Sequence, residues 1–366
     1  MLPRISNLSE PPESTTFALG QIQLRARGSP LDLQAISRLA RSLASSGSNV
    51  PRLTFTVNVL RADADTLLQL CRWALSLPVL RTTTSLEPEM KLGFDSFTMS
   101  YHFDKSSGML AIAIQDKADG GNAICVAYDV PAHCVTIWTN IADVTRLIEW
   151  IVLEICALAG EILLLHAACA CIADSAIVLA GPSGSGKTSL LVGLVLSGGK
   201  VIADDRVAIM RSGYVPSIYR DIFMNLGVET VNAFPTLHET SRTWHQSYSI
   251  RLQGDEWRFH VSDVFGRDVV ASGAHLRTVI FPSRTQRSGY RLSPILTLNE
   301  FIARVTPCYH SLAWRVRDAL ALSRLADNVE DPWLPLWPQM RAYVLEYGPD
   351  SLQDAVSAIQ RQCMSD

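Results

Sequence analysis

The chain has eight cysteines but no Cys-x-x-Cys pair, and Cys169-Ala-Cys171 has no second pair to match it. The spacing of a structural zinc site or a thioredoxin-like redox centre is therefore absent. Cys71, Cys125, Cys134, Cys156, Cys169, Cys171, Cys308 and Cys363 lie mostly in apolar segments. They read as buried free thiols, which fits a reducing cytoplasm. Basic residues are not in excess. Lys and Arg number 32 against 35 Asp and Glu, a net charge of −3, which argues against a nucleic-acid-binding surface. Arg315–Arg324 is spread along a helical pattern and reads as a solvated face. No long uncharged apolar run exists: the most apolar stretch, 147–180, is broken by Glu149, Glu154, Glu161, His166 and Asp174. No membrane span is expected. The start, Met-Leu-Pro-Arg-Ile-Ser, has no apolar core of a secretory signal. No internal repeat is found. What remains is globular: 48% hydrophobic over 366 residues is enough for two domains.

Residues 176–188 read Ala-Ile-Val-Leu-Ala-Gly-Pro-Ser-Gly-Ser-Gly-Lys-Thr. A buried-strand run feeds straight into G-x-x-x-x-G-K-T, and an apolar helix, Ser189–Leu196, follows. Gly181, Gly184 and Gly186 stand where the backbone must fold round an anion. The amides of Gly181, Pro182 (which has no N–H and serves only the turn), Ser183, Gly184, Ser185, Gly186, Lys187, Thr188 and Ser189 form the expected nucleotide cradle, aided by the positive end of the helix. Lys187 supplies a cation for the β- and γ-phosphates, and Thr188 a hydroxyl for Mg2+. The expected cofactors are ATP and Mg2+.

Gly198 and Gly199 end the helix, as glycines do at a C-terminal cap. Leu196-Ser-Gly-Gly-Lys superficially matches the signature of ABC-transporter ATPases. It begins nine residues after Lys187, too early for that role, and reads as the cap. Lys200-Val-Ile-Ala is a buried strand, expected beside the loop strand, delivering Asp204 and Asp205, 17 and 18 residues after Lys187. Adjacent carboxylates on a strand end point different ways. One can hold Mg2+ while the other takes a proton from an attacking hydroxyl. The plainer alternative is a solvated Asp-Asp turn. Upstream, Ile162–Ile172 reads as a strand that turns at Ala173-Asp174-Ser175 and returns as the strand before the loop. That places His166 on a neighbouring strand, either as a satisfied core histidine or as a site residue.

His-Ala-Ala, the loop, the short helix, Gly-Gly and Val-Ile-Ala-Asp-Asp-Arg-Val together resemble the catalytic domain of HPr kinase/phosphorylase, including the related kinases found beside peptide-modification genes. The resemblance covers about 162–211. His166 precedes Lys187 by 21 residues and Asp205 follows it by 18, the spacing of that family. The resemblance implies an α/β P-loop kinase domain of the HPr-kinase/PEP-carboxykinase type. It implies Asp205 as catalytic base, Lys187 and His166 as phosphate contacts, and Thr188 and Asp204 as metal ligands. The family's Glu-Ile-Arg-Gly-Leu-Gly motif is missing. Arg220-Asp-Ile-Phe-Met-Asn-Leu-Gly stands near its place, with Asp221 as the counterpart of the metal-binding glutamate. No loop for recognising HPr is legible.

Two domains are expected: a mainly β (α+β) domain over 1–141 and the kinase-like domain over 142–366, opened by a helix at Ala142–Ala159. Residues 1–15 read as loose. Strands are expected at Thr16–Arg27, Leu53–Leu60, Phe97–Phe103, Met109–Gln115 and Ala123–Thr139, the last turning at Pro131-Ala132-His133. Helices are expected at Leu31–Ser45 and Asp65–Leu77. His102 and Asp104 are placed at the surface. Further on, strands are expected at Val207–Met210, Tyr214–Tyr219, Arg251–Val264, Thr278–Phe281 (ending at Pro282) and Arg341–Tyr347. Residues 233–250 read as a long loop that covers the site or receives the acceptor. A capping box, Thr297-x-x-Glu300, opens a helix near Phe301 that Pro307 interrupts. Helices also fit Leu312–Leu325 and Leu352–Gln362, the latter capped by Asp350. The expected activity is transfer of a γ-phosphoryl group to a hydroxyl, a serine of a protein or peptide. The rivals are a nucleotide-binding regulatory module and a small-molecule kinase. Self-association is a further expectation for the β-rich domain.

Overall fold

A computed structural model describes residues 13–19, 22–43, 53–83, 97–104, 106–116, 123–129, 132–141, 144–158, 161–218, 222–242, 244, 250–253, 255–309 and 333–364. Residues 1–12, the proposed helix at 312–325 and Asp221 lie outside them. The fold is mixed α/β, in two compact units that divide between Glu161 and Ile162.

The first unit runs β1 (Glu13–Leu19), β2 (Ile22–Gly28), α1 (Pro30–Leu43), β3 (Leu53–Arg61), α2 (Ala64–Ser76), β4 (Val79–Thr83), β5 (Phe97–Asp104), β6 (Met109–Asp116), β7 (Ala123–Asp129), β8 (Cys134–Thr139) and α3 (Thr145–Leu158). Its eight strands form one sheet in the order β1-β2-β3-β8-β7-β6-β5-β4. β2, β3 and β8 run parallel, and the other neighbours are antiparallel. Asp63 caps α2 by accepting from the Thr66 amide. Leu67, Leu70, Cys71 and Ala74 then fall on one helical face. They pack on Met109, Ala111, Ala113, Cys125, Ala127 and Trp138, alternate residues of three adjacent strands. Thr16–Arg27, expected as one strand, is the hairpin of β1 and β2, with Leu19 paired to Ile22. The expected division at 141/142 is also displaced. α3 packs against α1 and belongs to the first unit.

The second unit continues with β9 (Ile162–Leu165), β10 (Ala167–Ile172), β11 (Ser175–Ala180), α4 (Lys187–Leu196), β12 (Lys200–Ala203), β13 (Val207–Met210), β14 (Tyr214–Pro216), β15 (Phe223–Gly227), α5 (Val228–Ala233), α6 (Pro235–Ser241), β16 (Arg251–Gln253), β17 (Glu256–His260), α7 (Val261–Phe265), β18 (Gly273–Arg284), β19 (Tyr290–Pro294), α8 (Leu298–Val305), β20 (Arg341–Tyr347) and α9 (Leu352–Met364). The main sheet is ordered β12-β10-β11-β18-β20-β19, with β14 also on β18. β13 pairs with β9, and β15-β17-β16 form a small third sheet.

Two differences from expectation concern the site. The strand carrying the acid pair is not beside the loop strand: β10 lies between β12 and β11. The cause is the hairpin at Ala173-Asp174, whose φ angles of 46° and 60° make a tight two-residue connection, so β10 takes the position next to β11. Residues 235–241, expected as loop, are α6, with Pro235 at its first turn and Leu237 buried. Arg251–Val264 is the β16–β17 hairpin followed by α7. β18 runs two residues past Pro282. Its pairing to β11 stops at Ile280, so the missing N–H of the proline is not needed on that side.

α4 is apolar nearly all round, and its residues from Ser189 to Val195 are buried. A Cβ on Gly193 would collide with Val356 of α9 and lie 3.0 Å from the Phe234 ring. The Schellman-type ending at Gly198-Gly199 is formed by bonds from Gly198 N to Val195 O and Gly199 N to Leu194 O. The capping box holds, since Thr297 Oγ1 accepts from the Glu300 amide. Ser351, rather than Asp350, directly precedes α9, and its carbonyl accepts the Ala355 amide.

Candidate functional site

The site grows from the end of β11. The hairpin register pairs Ala167 with Ala180, so His166 and Gly181 come next to each other where both strands end. At His166 the chain changes sheet. β9 pairs with β13 before it, and β10 with β11 and β12 after it. The His166 amide donates to Cys308 O at 2.7 Å, and Leu165 bridges Tyr309, so the break is pinned by the 308–309 segment. That support was not legible in the sequence: Cys308 lies far along the chain in no motif.

From Gly181 the loop reaches α4 through Gly184 and Gly186, whose φ angles of 78° and 92° lie where side chains are strained. Lys187 is 7% exposed, and its Nζ donates to Gly181 O at 2.9 Å and Pro182 O at 3.0 Å. Burial pulls the Lys187 pKa down, while Asp205 and Asp204 oppose that shift. The Ser185 hydroxyl is buried without a hydrogen-bond partner. A buried orphan hydroxyl in a turn of this shape is an acceptor or donor held ready for an incoming polar group.

β12 brings in the acid pair, and the two carboxylates diverge. Asp204 is buried and accepts from Thr188 Oγ1, at 3.2 Å to Oδ1 and 3.3 Å to Oδ2. Burial first, then the negative charge of Asp205, pushes its pKa up to about 7, while the Thr188 bond and Lys187 pull the other way. Asp205 has φ 69°, a left-handed backbone uncommon outside glycine. Such strain costs of order 1 kcal/mol or more and persists where surrounding structure enforces it. It turns the side chain to the opposite side, where Oδ1 accepts from His166 Nε2 at 3.0 Å. Both partners are about one-third exposed, at 29% and 34%. The structure thus joins His166 to Asp205, and Thr188 to Asp204, with both carboxylates acting electrostatically on Lys187.

Thr188 and Asp204 offer hard oxygen donors at one point, which suits Mg2+. That ion binds few protein ligands and completes its shell with water and phosphate oxygens. No cluster of three or more His, Cys, Asp or Glu suited to a metal occurs among the described residues. Ser189 faces away from the acid pair. Its Oγ shares a 2.7 Å bond with Thr230 Oγ1 and accepts from Arg284 Nη2 at 3.0 Å. Arg284 and Thr230 carry no motif and were missed by sequence reading.

Elsewhere, His102 is not at the surface. It is buried against α2, its Nδ1 3.0 Å from Leu77 O, because α2 covers that face of the sheet. Asp104 accepts from Ser107 and Ser106, which hold its pKa down to about 2, so it organises a turn. All eight cysteines are free. Among the described residues no helix is long and apolar enough to cross a membrane.

No protein-family model matches the chain, and no curated protein does. Among solved structures, the Hpr(Ser) kinase/phosphatase from Coxiella burnetii is similar at 12% identity and a TM-score of 0.25, over 56% of this chain and 99% of that chain. A match this loose carries no functional argument, which rests on the residues themselves.

Proposed function

We propose that the chain is an ATP- and Mg2+-dependent kinase that transfers the γ-phosphoryl group to a hydroxyl, a serine of a protein or peptide. The observation that carries this reading is the divergent acid pair at the loop: buried Asp204 on the Thr188 hydroxyl, and strained, accessible Asp205 on His166. In this reading the loop amides and Lys187 hold the phosphates and stabilise charge developing on the transferred group. Thr188 and Asp204 would hold Mg2+, which neutralises phosphate charge when bound. Asp205 accepts the proton of the attacking hydroxyl, and His166 fixes the carboxylate's direction. A regulatory nucleotide binder would need the loop but not a strained carboxylate paired to a histidine beside it. The serine acceptor follows from the resemblance of 162–211 to HPr-kinase-type enzymes. The test is incubation of the protein with γ-labelled ATP and a lysate of its source organism. Label on a serine of a polypeptide is expected. Label on a small molecule alone would replace the acceptor class, and no transfer in any fraction would leave the binder.

A further inference from the structure

The side of α4 away from the acid pair carries a second cation. Arg284 is the last residue of β18. Its Nη2 donates to Ser189 Oγ at 3.0 Å, and its Nε lies 3.5 Å from the Tyr347 hydroxyl. A Cβ placed on Gly186 would collide with that hydroxyl and sit 3.1 Å from Nε. The guanidinium therefore rests directly on the last glycine of the loop, where only a bare Cα leaves it room. Among the described residues its acidic partner is Glu229, 3.9 Å from Nη1, and Glu229 is 93% exposed. Solvent screens that pair to little effect. The neutral hydroxyls of Ser189 and Tyr347 hold the fork in place, while the side chain remains 44% exposed.

Arg284 and Lys187 do not serve the same end of the loop. The charges acting on Lys187 include Asp205 and Asp204. Arg284 touches neither. Thr188 turns its hydroxyl to Asp204, and Ser189, the next residue, turns its own to Arg284. Successive helical residues are separated by about 100°, so these two directions diverge across the first turn. A row of phosphates lying over the loop would have the Asp205 base at one end and the guanidinium at the other. The end beside the base is the one that can be transferred. The other end carries the nucleoside.

We infer that Arg284 binds the α-phosphate of the donor and sets its polarity, with the nucleoside end at Arg284 and the transferred phosphoryl at Asp205. A planar fork that is still 44% exposed and held by neutral hydroxyls and a screened carboxylate suits a phosphate better than a lysine does. This assignment rests on the nucleotide-binding reading of the loop.

The experiment is equilibrium titration of the full chain and its Arg284→Gln and Arg284→Lys variants with ATP, ADP and inorganic pyrophosphate, with thermal melts of each. Arg284→Gln is expected to weaken ATP and ADP by one common factor, about 10- to 100-fold. Pyrophosphate, seated at Lys187, should change by less than about 3-fold. Arg284→Lys should recover part of the loss, and it reads the same ratio if the glutamine variant does not fold. Unchanged ATP affinity in the variants, or an equal loss for pyrophosphate, would overturn the assignment while leaving nucleotide binding intact. A wild-type chain that binds none of the three would overturn both.

Discussion

In the unliganded fold, burial and the neighbouring Asp205 raise the pKa of Asp204 from 3.8 to about 7. Between those values the folded chain holds a proton that the unfolded chain has released. Stability of the unliganded protein should therefore fall as pH rises from about 4 to about 7 and then level off. The slope attributable to this group is at most about 1.4 kcal/mol per pH unit. Urea denaturation at pH 5 and pH 8 measures it, and Asp204→Asn should flatten that part of the curve. A curve that rises over this interval and is unaltered by the substitution would show Asp204 ionised throughout. At His166 the expectation is kinetic. His166→Ala removes the 3.0 Å bond that aims Asp205 but leaves the loop. Phosphoryl transfer should drop about 10²-fold. ATP affinity, read by titration, should stay within about 3-fold, since binding lies with the loop.

Among the elements, α4 is the most tightly constrained, because Gly193 brings it against α9 and Phe234 without room for a methyl group. Gly193→Ala should destabilise the second unit by about 1–3 kcal/mol through overpacking, despite better helix propensity. Val356→Ala should restore part of the loss, and chemical denaturation of the single and double variants checks this. The same helix shows what sequence could and could not tell. Its start at G-K-T, its glycine ending and the strands either side were legible, because turn chemistry and apolar runs are local signals. β20 matches its expected bounds, and α8 opens at the expected cap. Neighbour order was not legible. Periodicity shows that Lys200–Ala203 is a strand but not that β10 separates it from β11. Residues 235–241 misled because their Thr, Ser and His content suggested a loop, whereas buried Leu237 and Pro235 at the first turn form a helix. Site residues without a motif were equally hidden. Arg284 and Thr230 meet Ser189, and Cys308 meets His166, through tertiary pairing, which no local spacing records.

At the scale of the molecule, the phosphate chemistry we propose is confined to the second unit, and the first has its own core of sheet and helices. Among the described residues of the first unit no group of His, Cys, Asp or Glu suited to a metal occurs, and we propose that this unit recognises the acceptor. A fragment starting at Ile162 should then keep ATP affinity within about 3-fold, as the loop and acid pair stay whole, and lose most transfer to the polypeptide acceptor. Undiminished transfer by the fragment would assign the first unit another task. The central claim, however, is that Asp205 is the base of a phosphoryl transfer. Its most direct measurement compares wild type and Asp205→Asn for ATP binding by titration and for label transfer from γ-labelled ATP in the same lysate. If Asp205 is the base, ATP affinity stays unchanged within about 3-fold and transfer falls by about 10²- to 10⁴-fold. Transfer at the wild-type rate by Asp205→Asn would contradict it, as would wild-type protein that binds ATP and labels nothing.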